Sequence, residues 1–180
     1  MLKLISALSI IFLLSACGSK NMMTNKTILD KTTVKNFEID RYLGEWYEIA
    51  RFQHSFEKDL VGVTATYSMR PDGKIKVLNQ GYKNSLDGKL KQATGVAKIP
   101  DPEHPARLKV SFFWIFFAEY NIMELDTINY SWALVGSSSE NYLWILSRNK
   151  TMDDQTYEML VNNAKVRGYD VERLFRVPQH

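Results

Sequence analysis

Few residues in this chain could make or break a covalent bond. It has one cysteine, Cys17, and three histidines, His54, His104 and His180, that stand far apart. A single thiol excludes an intrachain disulfide and a Cys-rich zinc centre, and the dispersed imidazoles lack metal-ligand spacing. No Ser, His and Asp fall in an order that pairs a nucleophile with a base, and His54, near Arg51 and Glu57, reads as part of a solvated loop. No metal, cofactor or catalytic residue is expected. The chemistry left to Cys17 is acylation, which depends on what precedes it.

Residues 1–16 carry one positive charge at Lys3, an apolar run over 4–14 and then small residues. That is the layout of a secretory signal peptide, and the run is too short to span a bilayer as a helix. Leu14-Ser15-Ala16-Cys17 resembles the bacterial lipobox, which implies cleavage before Cys17 and lipid chains on its sulfur and new amine. Gly18 then follows the anchor in place of the Asp that typically retains such proteins in the inner membrane. A lipid anchor in the outer membrane, on its periplasmic face, is expected. Residues 17–36 are otherwise polar and aperiodic, a flexible tether with a reach of about 25 Å.

The chain is 180 residues long, 45% hydrophobic and 24% charged, which fits one or two globular domains. Its 23 basic and 20 acidic residues are evenly scattered, so nucleic acid is not an expected partner. Aromatics are frequent, with four Trp, nine Tyr and nine Phe, and suggest large side chains lining an interior.

From residue 44 to 148 short β-rich runs alternate with turn formers such as Arg70-Pro71-Asp72-Gly73 and Asn84-Ser85-Leu86-Asp87-Gly88. The pattern predicts eight strands, at about 44–52, 61–69, 74–82, 89–99, 106–113, 119–125, 131–136 and 142–148. Sequential antiparallel strands either leave two sticky edges or close, and closure removes the edges. The expected fold is all-β: an eight-stranded antiparallel up-and-down barrel over 37–180. Thr151-Met152-Asp153-Asp154 fits a capping box, and Tyr157, Leu160, Val161 and Ala164 share one helical face before Gly168. One helix over 152–167 is therefore expected to pack outside the barrel.

Three segments carry a family resemblance: Gly44-Glu45-Trp46-Tyr47 in the first strand, Asp126-Thr127-Ile128-Asn129-Tyr130 after the sixth, and Arg148 ending the eighth. Together with the lipobox they resemble the motifs of the bacterial outer-membrane lipocalins over about 37–178, although the second lacks the commoner preceding Thr. Eight antiparallel strands return the chain to its starting end, which would bring Trp46, Arg148 and the 126–130 loop to one closed base. The expected role of Gly44, Trp46, Asp126, Tyr130 and Arg148 is structural.

An eight-stranded barrel has room for its own side chains or for one small ligand. With Trp46 and Arg148 inward, period-two alternation points Glu48, Ala50, Tyr142, Trp144 and Leu146 inward. Val63, Ala65, Tyr67, Ile75, Val77, Asn79, Val110, Phe112, Tyr120 and Ile122 are their expected companions. This set is mostly apolar and suits an acyl chain, unless Ala50 and Ala65 interdigitate with large aromatics to make a solid core. Glu48 needs a partner in such surroundings, be it Tyr hydroxyls, Arg51, trapped water or a twist toward the rim. Phe112-Phe113-Trp114-Ile115-Phe116-Phe117 falls in the loop between the fifth and sixth strands, at the open end. Phe113 to Phe117 are expected as a membrane or partner contact, or as a lid over the ligand.

The resemblance implies a lipid-anchored envelope protein, not an enzyme, that binds and carries fatty acids or lysophospholipids for membrane maintenance or stress response. The bilayer, through acylated Cys17, is its other expected partner. Alternatives are an envelope scaffold that docks a protein through the aromatic loop, or a lipid-acting enzyme. A homodimer is compatible with the pattern and not demanded by it.

Overall fold

The computed structural model describes residues 28–113 and 115–180. The lipobox, Cys17 and Trp114 lie outside them. A short helix α1 (Ile39–Tyr42) leads into β1 (Gly44–Phe52), β2 (Leu60–Met69), β3 (Ile75–Lys83), β4 (Leu90–Lys98), β5 (Arg107–Phe113), β6 (Phe116–Leu125), β7 (Trp132–Gly136) and β8 (Leu143–Ser147). Helix α2 (Asp154–Val166) follows, then a 3-10 turn at Val171–Arg173 and β9 (Leu174–Arg176). Neighbouring strands pair antiparallel, and β1 pairs with both β8 and β2, so the eight strands close into a barrel.

The ninth strand departs from the expected eight. β9 pairs with Ala50, Arg51 and Phe52 on the edge of β1 that β2 has left. Gly62 N donates to Pro178 O, and the Gln179 side chain donates to the Glu48 and Val63 carbonyls. The C-terminal segment thus fills the opening between β1 and β2 near the mouth. Left empty, that opening would expose two unpaired strand edges.

Two apolar layers result. Inside the barrel, Trp46, Tyr42, Tyr67, Ile75, Leu108, Ile122 and Leu146 pack at the closed base. Outside it, Tyr157, Leu160 and Ala164 of α2 cover Ile49, Ala50, Phe52, Met123, Leu134, Leu143 and Ile145. The N-cap of α2 is Asp153, whose carboxylate accepts from Thr156 N, rather than Thr151. Gly168 stops the helix at φ +93°, as its left-handed conformation allows.

Ala50 belongs to the outer layer, contrary to the inward parity expected of it. β1 bulges against β8: Glu48 pairs with Leu146, but Ala50 pairs with Ile145. The extra residue resets the alternation, so Ile49, Ala50 and Phe52 face α2 while Glu48 and Arg51 face the interior. The aromatic run also differs from expectation. β6 begins at Phe116, and Phe113 pairs with Phe116, so the run is a tight hairpin tip rather than a loop.

Residues 28–36, expected within the free tether, lie against the barrel. Val34 N donates to Ile122 O and Asp30 N to Arg167 O. The Arg167 guanidinium bridges Asp30 of this strap, at 3.2 Å, and Glu124 of β6, at 2.7 Å.

Candidate functional site

The closed end is built around one guanidinium. Arg148 Cζ stands 3.9 Å above the Trp46 ring. Its nitrogens donate to the carbonyls of Arg41, Leu43, Glu45 and Tyr130, which ties α1, β1 and the loop after β6 together. Gly44, at φ +95°, leaves room for this: a Cβ there would stand 3.3 Å from Arg148 Nη1. Asp126 closes its own loop, its carboxylate accepting from Ile128 N, Asn129 N and the Ser131 N and hydroxyl. Burial acts to raise the Asp126 pKa, but these hydrogen bonds prevail and hold it below the ordinary carboxylate range. Tyr130 sits at φ +54° and its hydroxyl accepts from Glu38 N. The three motifs therefore meet in a polar and aromatic plug that shuts the barrel.

Above the plug the barrel is hollow. A lower compartment of about 240 Å³ is lined by Ala65, Tyr67, Val77, Asn79, Val110, Phe112, Tyr120, Tyr142, Trp144 and Leu146, among others. An upper compartment of about 470 Å³ opens over it and includes Val63, Phe113 and Phe116. The two share Phe56, Glu57, Asn79, Val110, Phe112 and Ala118, so they form one continuous recess. Of the expected lining residues Ala50, Ile75 and Ile122 lie elsewhere, Ala50 under α2 and Ile75 and Ile122 buried in the base. The floor is hydroxylated: Tyr120 Oη lies 2.7 Å from Tyr42 Oη and 2.8 Å from Tyr67 Oη. Burial raises the pKa of all three phenols, so they remain neutral at physiological pH and serve as hydrogen-bonding groups.

Glu48 finds its partner in Arg51. The bulge in β1 puts both side chains inward, and Arg51 Nη1 donates to Glu48 Oε1 at 2.6 Å. Arg51 Nη2 donates to the carbonyls of Glu57 and Leu60. Burial, then the charge of Glu57, push Glu48 well above the ordinary carboxylate range, and Arg51 offsets part of this. Trp144 Nε1 donates to Glu57 Oε2 at 3.2 Å. His54 is not solvated. Its ring stacks on Phe56 at 3.8 Å and lies near Tyr142 and Trp144, with Nε2 3.0 Å from Glu57 Oε2 but not aligned as a hydrogen bond.

The loop between β1 and β2 supplies lining residues that period-two patterning cannot locate. Phe56, Glu57 and Lys58 come from it, as do Ser137 and Ser138 from the loop after β7. At the mouth, Phe113, Ile115 and Phe116 are 77%, 72% and 75% exposed, and Phe56 is 56% exposed. Large apolar side chains this exposed, gathered on one rim, mark a contact surface.

Residues 37–179 match the family described as a lipocalin-like domain. The chain is 42% identical to Outer membrane lipoprotein Blc of Escherichia coli (strain K12), covering 99% of this chain and 97% of that protein. It is 44% identical to the protein of that name from Vibrio cholerae, covering 81% of this chain and 85% of the other. Among solved structures, insecticyanin from the tobacco hornworm Manduca sexta shares the fold, with a TM-score of 0.66 at 20% identity over 84% of this chain and 85% of its own.

Proposed function

The chain belongs to the lipocalin-like family, and from that premise we propose that it is an outer-membrane lipoprotein, anchored through Cys17, whose barrel takes up single-chain lipids from the envelope. The observation that carries this reading is the recess itself: a hollow above a plugged base, walled by Ala65, Val77, Val110, Phe112 and Trp144 and open at one end. Its two compartments, about 240 and 470 Å³, together reach the scale of small-molecule sites, about 300–1,000 Å³. Burying an alkyl chain there contributes roughly 0.8 kcal/mol per methylene before the costs of binding. Fatty acids and lysophospholipids are the ligands of matching chemistry, and binding or transport, rather than catalysis, is the role typical of the family.

The exposed rim of Phe113, Ile115 and Phe116 supports a second element of the proposal, contact of the mouth with the bilayer. A barrel that touches the membrane at its open end can exchange a lipid without passing it through water. Residues 28–36 form a strap docked on the barrel wall through Asp30 and Val34, and so belong to the domain rather than to the tether that the polar composition of 17–36 suggests.

The test is organic extraction and mass spectrometry of the purified protein, paired with titration by lysophospholipid while tryptophan emission is followed. Co-purified lipid and a saturable spectral change are expected. A lipid-free protein with no spectral change overturns the proposal, and turnover of the lipid replaces it with an enzyme.

A further inference from the structure

Two seams interrupt the barrel wall near its mouth, and the fold treats them differently. β1 and β2 pair only from Gly44 opposite Tyr67 to Tyr47 opposite Thr64, and the C-terminal segment fills the gap above. The second seam lies between β4 and β5. Among the described residues their ladder runs only from Lys98 opposite Lys109 to Val96 opposite Ser111, so residues 90–95 of β4 pair with β3 alone. Phe112 marks the lower end of this seam, its ring resting on Gly95, where a Cβ would stand 2.8 Å from it. Above that point a bulge between Val110 and Phe113 shifts β5 against β6, and a bulge bends the strand that carries it. No strand or terminal segment among the described residues covers this second gap.

The seam is apolar on both sides of the wall. Leu90, Phe113, Ile115 and Phe116 flank it and are between 42% and 77% exposed. From within, the upper compartment reaches it, bordered by Gln92 and Ala93 of β4 and by Phe113 and Phe116 of the hairpin. A second protein strand is a poor occupant of this edge, because Lys89 and Lys91 stand at its upper end and lysines on an edge oppose pairing with another chain. A bilayer suits both features. The apolar side chains enter the acyl region, and the lysine stems run back to the headgroups. The edge itself then lies at headgroup level, where water and lipid oxygens can satisfy its free amides, as the hydrocarbon could not.

We propose that single-chain lipids enter and leave the barrel sideways, through the seam between β4 and β5, rather than end-on through the mouth. The alkyl chain slides between residues 90–94 and the tip of the hairpin while its head stays at the membrane surface. End-on passage would carry the whole chain past Lys58 and Lys83, which line the upper compartment, whereas the seam keeps it against Leu90, Phe113 and Phe116. The route rests on the carrier reading above and specifies how the ligand travels.

The experiment separates rate from affinity. Gln92→Cys and Ile115→Cys, at exposed positions on the two sides of the seam, are added to the full chain kept unacylated by Cys17→Ser. The two thiols are joined by a bis-maleimide whose spacer contains a cleavable disulfide. A lysophospholipid brominated along its acyl chain is loaded, and its transfer to phosphatidylethanolamine and phosphatidylglycerol vesicles is followed as recovery of tryptophan emission. The linked protein is expected to release the lipid about tenfold more slowly, with affinity within about twofold of the parent, and to regain the parent rate once the spacer is cut. An unchanged rate, or a loss that flotation traces to weaker vesicle binding, would overturn the route and leave the carrier reading standing. No binding of the lipid by the parent would overturn both. Hydrogen exchange on the parent gives a second reading that needs no cross-link. The amides of 90–94 that face away from β3 are expected to exchange fast in solution and to gain protection on vesicles. Slow exchange without vesicles would mean that the edge is already covered, by this chain or by a second copy, and would also overturn the route.

Discussion

Arg148 Cζ lies 3.9 Å above the indole of Trp46, joining the last strand of the barrel to the first. The same guanidinium satisfies four backbone carbonyls around the closed base. Lysine has the charge but not the fork, so Arg148→Lys is expected to lower unfolding free energy by about 2–4 kcal/mol. Lipid affinity per folded molecule should hardly change, because Arg148 does not line the recess. Urea denaturation with a parallel lipid titration checks both halves.

The bulge in β1 predicts opposite outcomes for two alanines that simple alternation treats alike. Ala65 borders the recess, so Ala65→Trp should fill the lower compartment and abolish lipid binding, with stability changed by less than about 1 kcal/mol. Ala50 is sealed between barrel and α2, so Ala50→Trp should overpack that layer and cost about 1–3 kcal/mol or more. Thermal melts and a binding isotherm for each variant separate the two. Lost binding with full stability at position 50 would mean that the bulge is misplaced.

These two alanines also show where the sequence was legible. Eight strands could be read because period-two alternation and turn residues are local signals, and the motifs converged because an even number of strands returns the chain to one end. A bulge adds one residue without changing composition, so it escapes a parity argument. Its trace lies in Gly44–Phe52 itself, where Glu48 and Arg51 can neutralise one another on one face only if the alternation breaks between them. β9 escaped for another reason. It has three residues, and its pairing edge on β1 lies more than a hundred positions away. Phe56 and Glu57 sit in a loop, where no periodicity exists to aim a side chain.

Glu48 should leave a mark on the pH dependence of stability. Its pKa is raised in the folded protein, so unfolding releases a proton and stability falls as pH rises above about 4.3, the ordinary glutamate value. Glu48→Gln lacks that proton and should lack that slope, gaining on the parent as pH rises toward neutrality. Denaturation midpoints of both proteins from pH 4 to pH 8 decide the matter. A parent that gains on the variant over this range would show that the ion pair with Arg51 outweighs burial.

The mouth makes a prediction about membranes. Phe113→Ser together with Phe116→Ser should weaken binding of the unacylated protein to phosphatidylethanolamine and phosphatidylglycerol vesicles tenfold or more, given about 1.5–3 kcal/mol for each fully buried aromatic ring. Both residues are more than 70% exposed, so stability should move by no more than about 0.5 kcal/mol. Vesicle flotation and thermal melts provide the two readings. A large drop in melting temperature would assign the hairpin tip to the core.

The most direct measurement places a heavy-atom quencher inside the barrel. A lysophospholipid brominated along its acyl chain is added to the full chain carrying Cys17→Ser and to the same protein carrying Trp144→Phe, and the fluorescence lost to bromine is compared. Trp144 lines the lower compartment, whereas Trp46 is buried in the base. The lipid should quench the parent saturably, lose most of its effect when Trp144 is replaced, and lose all of it when Ala65→Trp fills the space. Quenching that ignores both substitutions would mean that the chain lies outside the barrel.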